Sequence, residues 1–161
     1  MGVYQAAIFL ARDDGAYTLT GSYAVFRGEG AKQKYEKGEG LIGQVIADKK
    51  MIVMKDIPDD YITLSSGLGS SKPKTIILAP ILFETELLAV IELASLSGFD
   101  KSHFDFLNEI ATNVGIALKT TISREKTDEL LILNQFQVLE LKAQQEELSA
   151  VNNDLETQTR Q

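Results

Sequence analysis

Residues 75–95 read Thr-Ile-Ile-Leu-Ala-Pro-Ile-Leu-Phe-Glu-Thr-Glu-Leu-Leu-Ala-Val-Ile-Glu-Leu-Ala-Ser. Two apolar runs, Thr75–Phe83 and Glu86–Ser95, meet at the polar Glu84-Thr85-Glu86, which predicts a pair of strands joined as a hairpin. Pro80 has no amide proton to give to a ladder, so it belongs at an edge or a bulge. Glu92 lies inside Leu87-Leu88-Ala89-Val90-Ile91-Glu92-Leu93-Ala94, where a carboxylate is costly unless solvated or paired. Three placements are open to it: a polar handle in a ligand pocket, a structural acid bonded to loop amides or hydroxyls, or a side chain exposed on one sheet face.

Working outward toward the N-terminus, Tyr4–Ala11 and Tyr17–Phe26 flank Arg12-Asp13-Asp14-Gly15, where Asp-Gly supplies the positive φ of a tight turn; this is a second hairpin. Residues 27–38 are too polar for a core and are expected to form a surface connection. After Gly40, the spacing of Leu41, Ile42, Val45 and Ile46 predicts a short helix that stops at Asp48-Lys49-Lys50. Met51–Met54 reads as a short strand. Asp56–Pro73 is a long segment rich in Asp, Ser, Gly and Pro, and loops of that length inside compact domains are usually functional or disordered.

Toward the C-terminus, Asp100 is a candidate N-cap for a helix whose apolar stripe runs through Phe104, Leu107, Ile110, Ala111, Val114 and Leu118. No proline or glycine follows Gly115, so the remaining 46 residues are free to form a helical rod of about 69 Å at 1.5 Å per residue. Within it Leu131, Asn134, Val138, Leu141, Gln145, Leu148, Asn152 and Leu155 alternate in steps of three and four. That is the seam of a coiled coil, and an amide at the Asn152 core position favours a parallel, in-register dimer. The competing reading is a lone amphipathic helix folded back on its own domain, although such a helix normally carries a wider stripe. Arg124, Thr127 and Asp128 interrupt the join between the two stripes, either as a place where register shifts or as a solvated spacer.

The composition separates the same two parts. Residues 1–122 hold 58 of the 71 apolar residues with 15 acidic and 12 basic side chains; residues 123–161 hold 13 apolar residues, 8 acidic and 4 basic. The first part can bury a core, and the second reads as a solvated rod. The net charge of −7 argues against a sequence-independent nucleic-acid binder, which needs clustered cations. The longest apolar run, Ile76–Phe83, is far short of the roughly 18 residues of a membrane span. With no basic segment followed by a long apolar one at the start, a cytoplasmic location without membrane contact by this chain is expected. The chain opens in a strand-like run and ends within the rod, so a longer parent is expected, whether or not that parent is membrane-anchored.

Most site chemistries fail on the residues available. Zero cysteine excludes disulfides, thiolate metal sites, a cysteine nucleophile and a thioether-linked chromophore. The single histidine, His103, leaves no His-rich metal centre and no ordinary triad elsewhere. Ser102-His103 has a faint likeness to a histidine-kinase phosphoacceptor box, but Phe104-Asp105-Phe106-Leu107 follows, and a surface histidine in a first helical turn is the plainer reading. Haem ligation by His103 is not expected in such polar surroundings. Gly38-Glu39-Gly40-Leu41-Ile42-Gly43 matches the letters of a dinucleotide fingerprint without a buried strand ahead of it, so the glycines are expected to serve a turn and close packing. Asp59-Asp60 has no companion cluster of metal ligands. No catalytic set and no metal site remain.

The order of parts resembles a GAF domain over roughly residues 3–122. The resemblance rests on Gly-Glu-Gly-Leu-Ile-Gly-Gln-Val at 38–45, Asp56-Ile57-Pro58-Asp59-Asp60-Tyr61, Ser65-Ser66-Gly67-Leu68-Gly69, Ala79-Pro80-Ile81-Leu82 and Ala89-Val90-Ile91-Glu92-Leu93-Ala94-Ser95. It is closest in kind to the GAF domains of bacterial sensor histidine kinases, often hybrid kinases with receiver domains, and 140–161 is similar to the helical linker that follows them. The implied fold is α+β: a GAF/PAS-like central antiparallel sheet flanked by helices, then a long C-terminal coiled-coil helix. The implied organisation is a sensory domain at 1–122, its N-terminal helix trimmed because Tyr4 begins at once, and a signalling linker at 123–161. The Asn-Lys-Phe-Asp-Glu signature of cyclic-nucleotide-binding relatives is absent, and so are the cysteines of bilin-attaching and of methionine-sulfoxide-reducing relatives.

The resemblance therefore implies noncovalent sensing, with no cofactor required, no covalent bilin and an unidentified small-molecule ligand. Its pocket candidates, carried over by matching segment, are Phe26, Ile42, Val45, Ile46, Met54, Tyr61, Leu64, Leu68, Leu78 and Glu92, for each of which a plain core role is the stronger reading. With Tyr61 and Glu92 as polar points, such a pocket suits a small, mostly apolar ligand. The implied partners are a second copy of the chain through the C-terminal helix and downstream kinase domains of the parent. A dimerisation spacer that binds nothing is the alternative.

Overall fold

The computed structural model describes residues 2–25, 32–58, 62–66 and 69–159. The chain divides into two compact units, Met1–Lys119 and Thr120–Gln161. The first is an α+β unit built on a six-stranded antiparallel sheet. Its strands are β1 (Gln5–Ala11), β2 (Tyr17–Tyr23), β3 (Lys34–Tyr35), β4 (Ile52–Lys55), β7 (Thr75–Phe83) and β8 (Glu86–Ser95), in the order β3-β2-β1-β8-β7-β4. Helix α1 (Gly40–Asp48) and a small hairpin, β5 (Leu64–Ser66) with β6 (Gly69–Ser71), accompany it. Helix α2 (Lys101–Thr159) begins in this unit.

The β7–β8 hairpin lies within the sheet between β1 and β4, its strands bounded as their apolar runs predict. Pairing continues from Thr75↔Ser95 to Phe83↔Glu86 with a register shift at Ile81/Leu82. Pro80 sits just before that shift and beyond the last β4 pair, Ile52↔Leu78, where its missing amide proton costs least. β8 also pairs with β1, so Ala7 and Leu78 flank Glu92 on either side. Ala7, Phe9, Ile76, Leu78, Val90 and Ala94 therefore share one face with Glu92, and Ile77, Ala79 and Leu93 share the other.

Each face has its own core. Ile42, Val45 and Ile46 of α1 join Phe9, Ile76, Leu78, Val90 and Ile57 on the inner face. Phe99, Phe104 and Leu107 close on Ile77, Ala79 and Leu93 on the outer one. Gly115 lets α2 reach the β7 backbone: a Cβ there would stand 2.2 Å from the Leu82 carbonyl oxygen. Lys119 Nζ meets Glu86 Oε2 at 2.5 Å.

The turns follow their chemistry. Gly15 adopts φ +79° in the first hairpin, and Arg12 N–H donates to Ala16 O at 2.8 Å. Asp100 caps α2, accepting the His103 backbone N–H at 3.1 Å, while His103 Nδ1 accepts the Asp100 N–H at 3.1 Å. That reciprocal pair has the form of a capping box, with an imidazole in place of the usual Glu or Gln. Three short strands depart from expectation: β3 lies in the segment read as a surface connection, and β5 and β6 lie in the segment read as a loop. β3 is held by its pairing with β2, β5 and β6 pair only with each other, and strands of two or three residues are too short to leave a periodic signature in the sequence.

Candidate functional site

Above the inner face lies a cavity of about 470 Å³. Its floor is Gln5, Ala7 and Phe9 of β1, Glu92 and Ala94 of β8, and Ile76 of β7; Ala6 also contributes. Leu19, Val25, Lys32 and Tyr35 form one wall, and Ile62 and Thr63 another. Tyr35 is positioned by the Tyr17↔Tyr35 pairing and packs edge-on to Phe9, with ring centroids 5.2 Å apart. The volume lies within the range of ordinary small-molecule sites.

The electrostatics of the cavity centre on Glu92. Among the described residues its carboxyl meets no hydrogen-bond donor, and burial holds its pKa above the ordinary value of 4.5. Tyr35 is raised as well, first by burial and then by the Glu92 charge. Lys32 stands over the Tyr35 ring at 5.3 Å, but its ammonium is engaged by the Glu39 carboxylate. Gln5 turns its amide nitrogen away to the Ala24 carbonyl at 2.8 Å.

The expected pocket residues divide. Glu92 lines the cavity; Ile42, Val45, Ile46, Leu64 and Leu78 are buried in the inner core, and Met54 packs against that core half-buried. Phe26, Tyr61 and Leu68 lie outside the described residues. Gln5, Phe9, Lys32, Tyr35 and Thr63 escaped sequence reasoning. The signal that could have found the β1 pair is register, because Gln5 and Phe9 fall on the same face as Glu92 once β1 is set against β8.

The Gly38–Gly43 fingerprint serves turn geometry. Gly38 and Gly40 have positive φ, Gly38 N–H donates to Gly43 O at 2.8 Å, and a Cβ on Gly43 would stand 2.5 Å from the Glu36 oxygen. His103 sits in the first turn of α2, edge-on to Phe99. Among the described residues no three His, Asp or Glu side chains converge on a metal-sized site.

In the second unit, Leu131, Val138, Leu141 and Leu148 of the heptad seam are each more than half exposed. Asn134 and Gln145 are exposed too, while the side chains of Asn152 and Leu155 lie outside the described set. Leu130, Ile132, Leu133, Phe136 and Leu139 are equally exposed, so the apolar surface at 130–139 is wider than two residues per heptad.

The GAF domain family matches residues 1–119, and the chain belongs to that family. Its members are sensory and regulatory modules. Solved structures agree at the level of fold. The GAF domain from a phosphoenolpyruvate-protein phosphotransferase of Coxiella burnetii is similar with TM-score 0.61 at 22% identity, over 76% of this chain and 75% of that one. The GAF domain of a two-component sensor histidine kinase from Bacillus halodurans is similar with TM-score 0.58 at 11% identity, over 75% and 84%. A type II free methionine-R-sulfoxide reductase from Thermoplasma acidophilum is similar with TM-score 0.56 at 14% identity, over 73% and 79%. No curated protein sequence matches the chain. Among the described residues no helix is long and apolar enough to cross a membrane.

Proposed function

We propose that this chain is a noncovalent sensory module. Occupancy of its inner-face cavity is passed along a parallel two-stranded coiled coil of α2 to a downstream histidine kinase, in a two-component relay located in the cytoplasm. The observation that carries the reading is the cavity itself, apolar on most sides and holding a carboxyl that no described residue pairs. The exposed leucines of residues 120–148 support the relay, since an apolar helix surface of this kind is stable when a second helix covers it. A ligand acts by favouring one of two arrangements of the paired helices, and a difference in affinity of about 1–3 kcal/mol between them is enough to matter. The family resemblance, and a neighbour that is itself the GAF domain of a sensor histidine kinase, support the kinase as the output. Catalysis and phosphoacceptance belong to parent domains, and this chain needs no cofactor.

A metabolite screen by thermal shift tests the sensory half: a saturable rise in melting temperature is expected, and none across the screen sinks it. Sedimentation tests the relay half, with the mass of two chains expected at micromolar concentration. The breadth of the apolar surface at 130–139 favours a second reading, a dimerisation spacer indifferent to ligands; a two-chain mass together with an empty screen would establish it.

A further inference from the structure

We infer that the cavity takes a small organic cation, an ammonium or amidinium group carried on an apolar or planar body, with the Glu92 carboxylate as its counter-ion. This rests on the sensory reading above and names the ligand class.

Glu92 stands half-buried in the cavity lining with no donor among the described residues, and a carboxylate partly withdrawn from water without a partner is unfavourable. Among the described residues of the lining the one cation, Lys32, is paired with Glu39. The other polar side chains of the lining are neutral: Gln5 gives one amide N–H to Ala24 and keeps its second N–H and its carbonyl oxygen, and Thr63 and Tyr35 are hydroxyls. An anion therefore meets the like charge of Glu92 with no unpaired cation among the described lining residues to offset it. A cation pairs with Glu92 and uses these acceptors for its remaining N–H groups. The body of the ligand meets Ala7, Ile76 and the rings of Phe9 and Tyr35, whose π faces also attract cations.

Benzamidine and benzamide have nearly the same size and shape and differ in charge. NMR titration of the whole chain with each, at neutral pH, is the test. Benzamidine is expected to shift the amides of β1 and β8 saturably and to bind about ten- to a hundredfold tighter than benzamide, the range of a charge-assisted hydrogen bond. The Glu92 carboxyl carbon, followed by its chemical shift, is expected to titrate at lower pH with benzamidine present. The titratable groups beside it in the lining are Tyr35 and the Glu39-paired Lys32. In the isosteric Glu92→Gln variant the advantage of benzamidine over benzamide is expected to vanish. Equal binding of the two compounds by the native chain, or an unchanged preference in Glu92→Gln, overturns the charge assignment and leaves the sensory reading standing. Binding of neither overturns the inference, and the wider metabolite screen then decides the sensory reading separately.

Discussion

The two units handle the same kind of side chain in opposite ways. In the first, Ile57, Ile76, Ile77, Leu78, Ile81 and Val90 are fully buried. In the second, Leu131, Leu133, Phe136, Leu139, Leu141 and Leu148 stand more than half exposed. An antiparallel sheet has two faces to offer, and α1 and the start of α2 cover them from within the same chain. A single helix has no second layer of its own. Its leucines contribute free energy only when another surface covers them, so the domain's stability belongs to one chain while the helix's potential stability belongs to an assembly.

The largest expected effect is at Ile77, on β7 between β4 and β8 and fully buried against the cluster that α2 closes. Ile77→Ala is expected to destabilise the domain by about 2–5 kcal/mol in urea unfolding, from lost transfer energy and a residual cavity. Gly115→Ala follows at about 1–3 kcal/mol, because the new methyl group meets the Leu82 carbonyl, a backbone atom that cannot step aside. A neutral result there would mean that the start of α2 does not hold the outer face as described.

Glu92→Gln is expected to act in the other direction. The folded chain keeps a proton on Glu92 above the pH, near the ordinary value of 4.5, at which the unfolded chain releases it. The folded state therefore binds more protons across that window, and stability falls as pH rises through it. Removing the ionisable group should raise the melting temperature at neutral pH and flatten its dependence on pH between the ordinary and the raised value. A variant as pH-sensitive as the native chain would show that Glu92 is not the source of that slope.

Asp100→Ala removes the exposed cap of α2 and should lower the melting temperature by a small fraction of the Ile77→Ala effect, measured by the same unfolding curve. Leu141→Ala is the counterpart of Ile77→Ala in the second unit. It should leave the domain's own transition within about 0.5 kcal/mol of native, as expected of an exposed site, while lowering the sedimentation mass toward one chain. A Leu141→Ala effect as large as that of Ile77→Ala would erase the contrast between the two units.

Local pattern and tertiary pairing divided the work of specifying this molecule. The bounds of β7 and β8, the Gly15 turn, the span of α1 and the Asp100 cap were legible because each rests on neighbours in sequence: apolar runs, a turn residue needing positive φ, a capping side chain. Glu92 stood out for the same reason, as one acid in an apolar strand. Its surroundings were not legible. Setting β1 against β8, rather than leaving β7–β8 as an isolated hairpin, is a choice made by long-range pairing, and it brings Gln5 and Phe9 to the face that Glu92 occupies. β3 exists only because β2 offers it an edge, and with it comes Tyr35, which no periodicity announces. Sequence alone thus determined the longer elements, the acid set within an apolar strand and the heptad spacing of the helix. Only the tertiary structure decided which side chains surround that acid, because register and layer packing are properties of pairs of segments that neither member carries by itself.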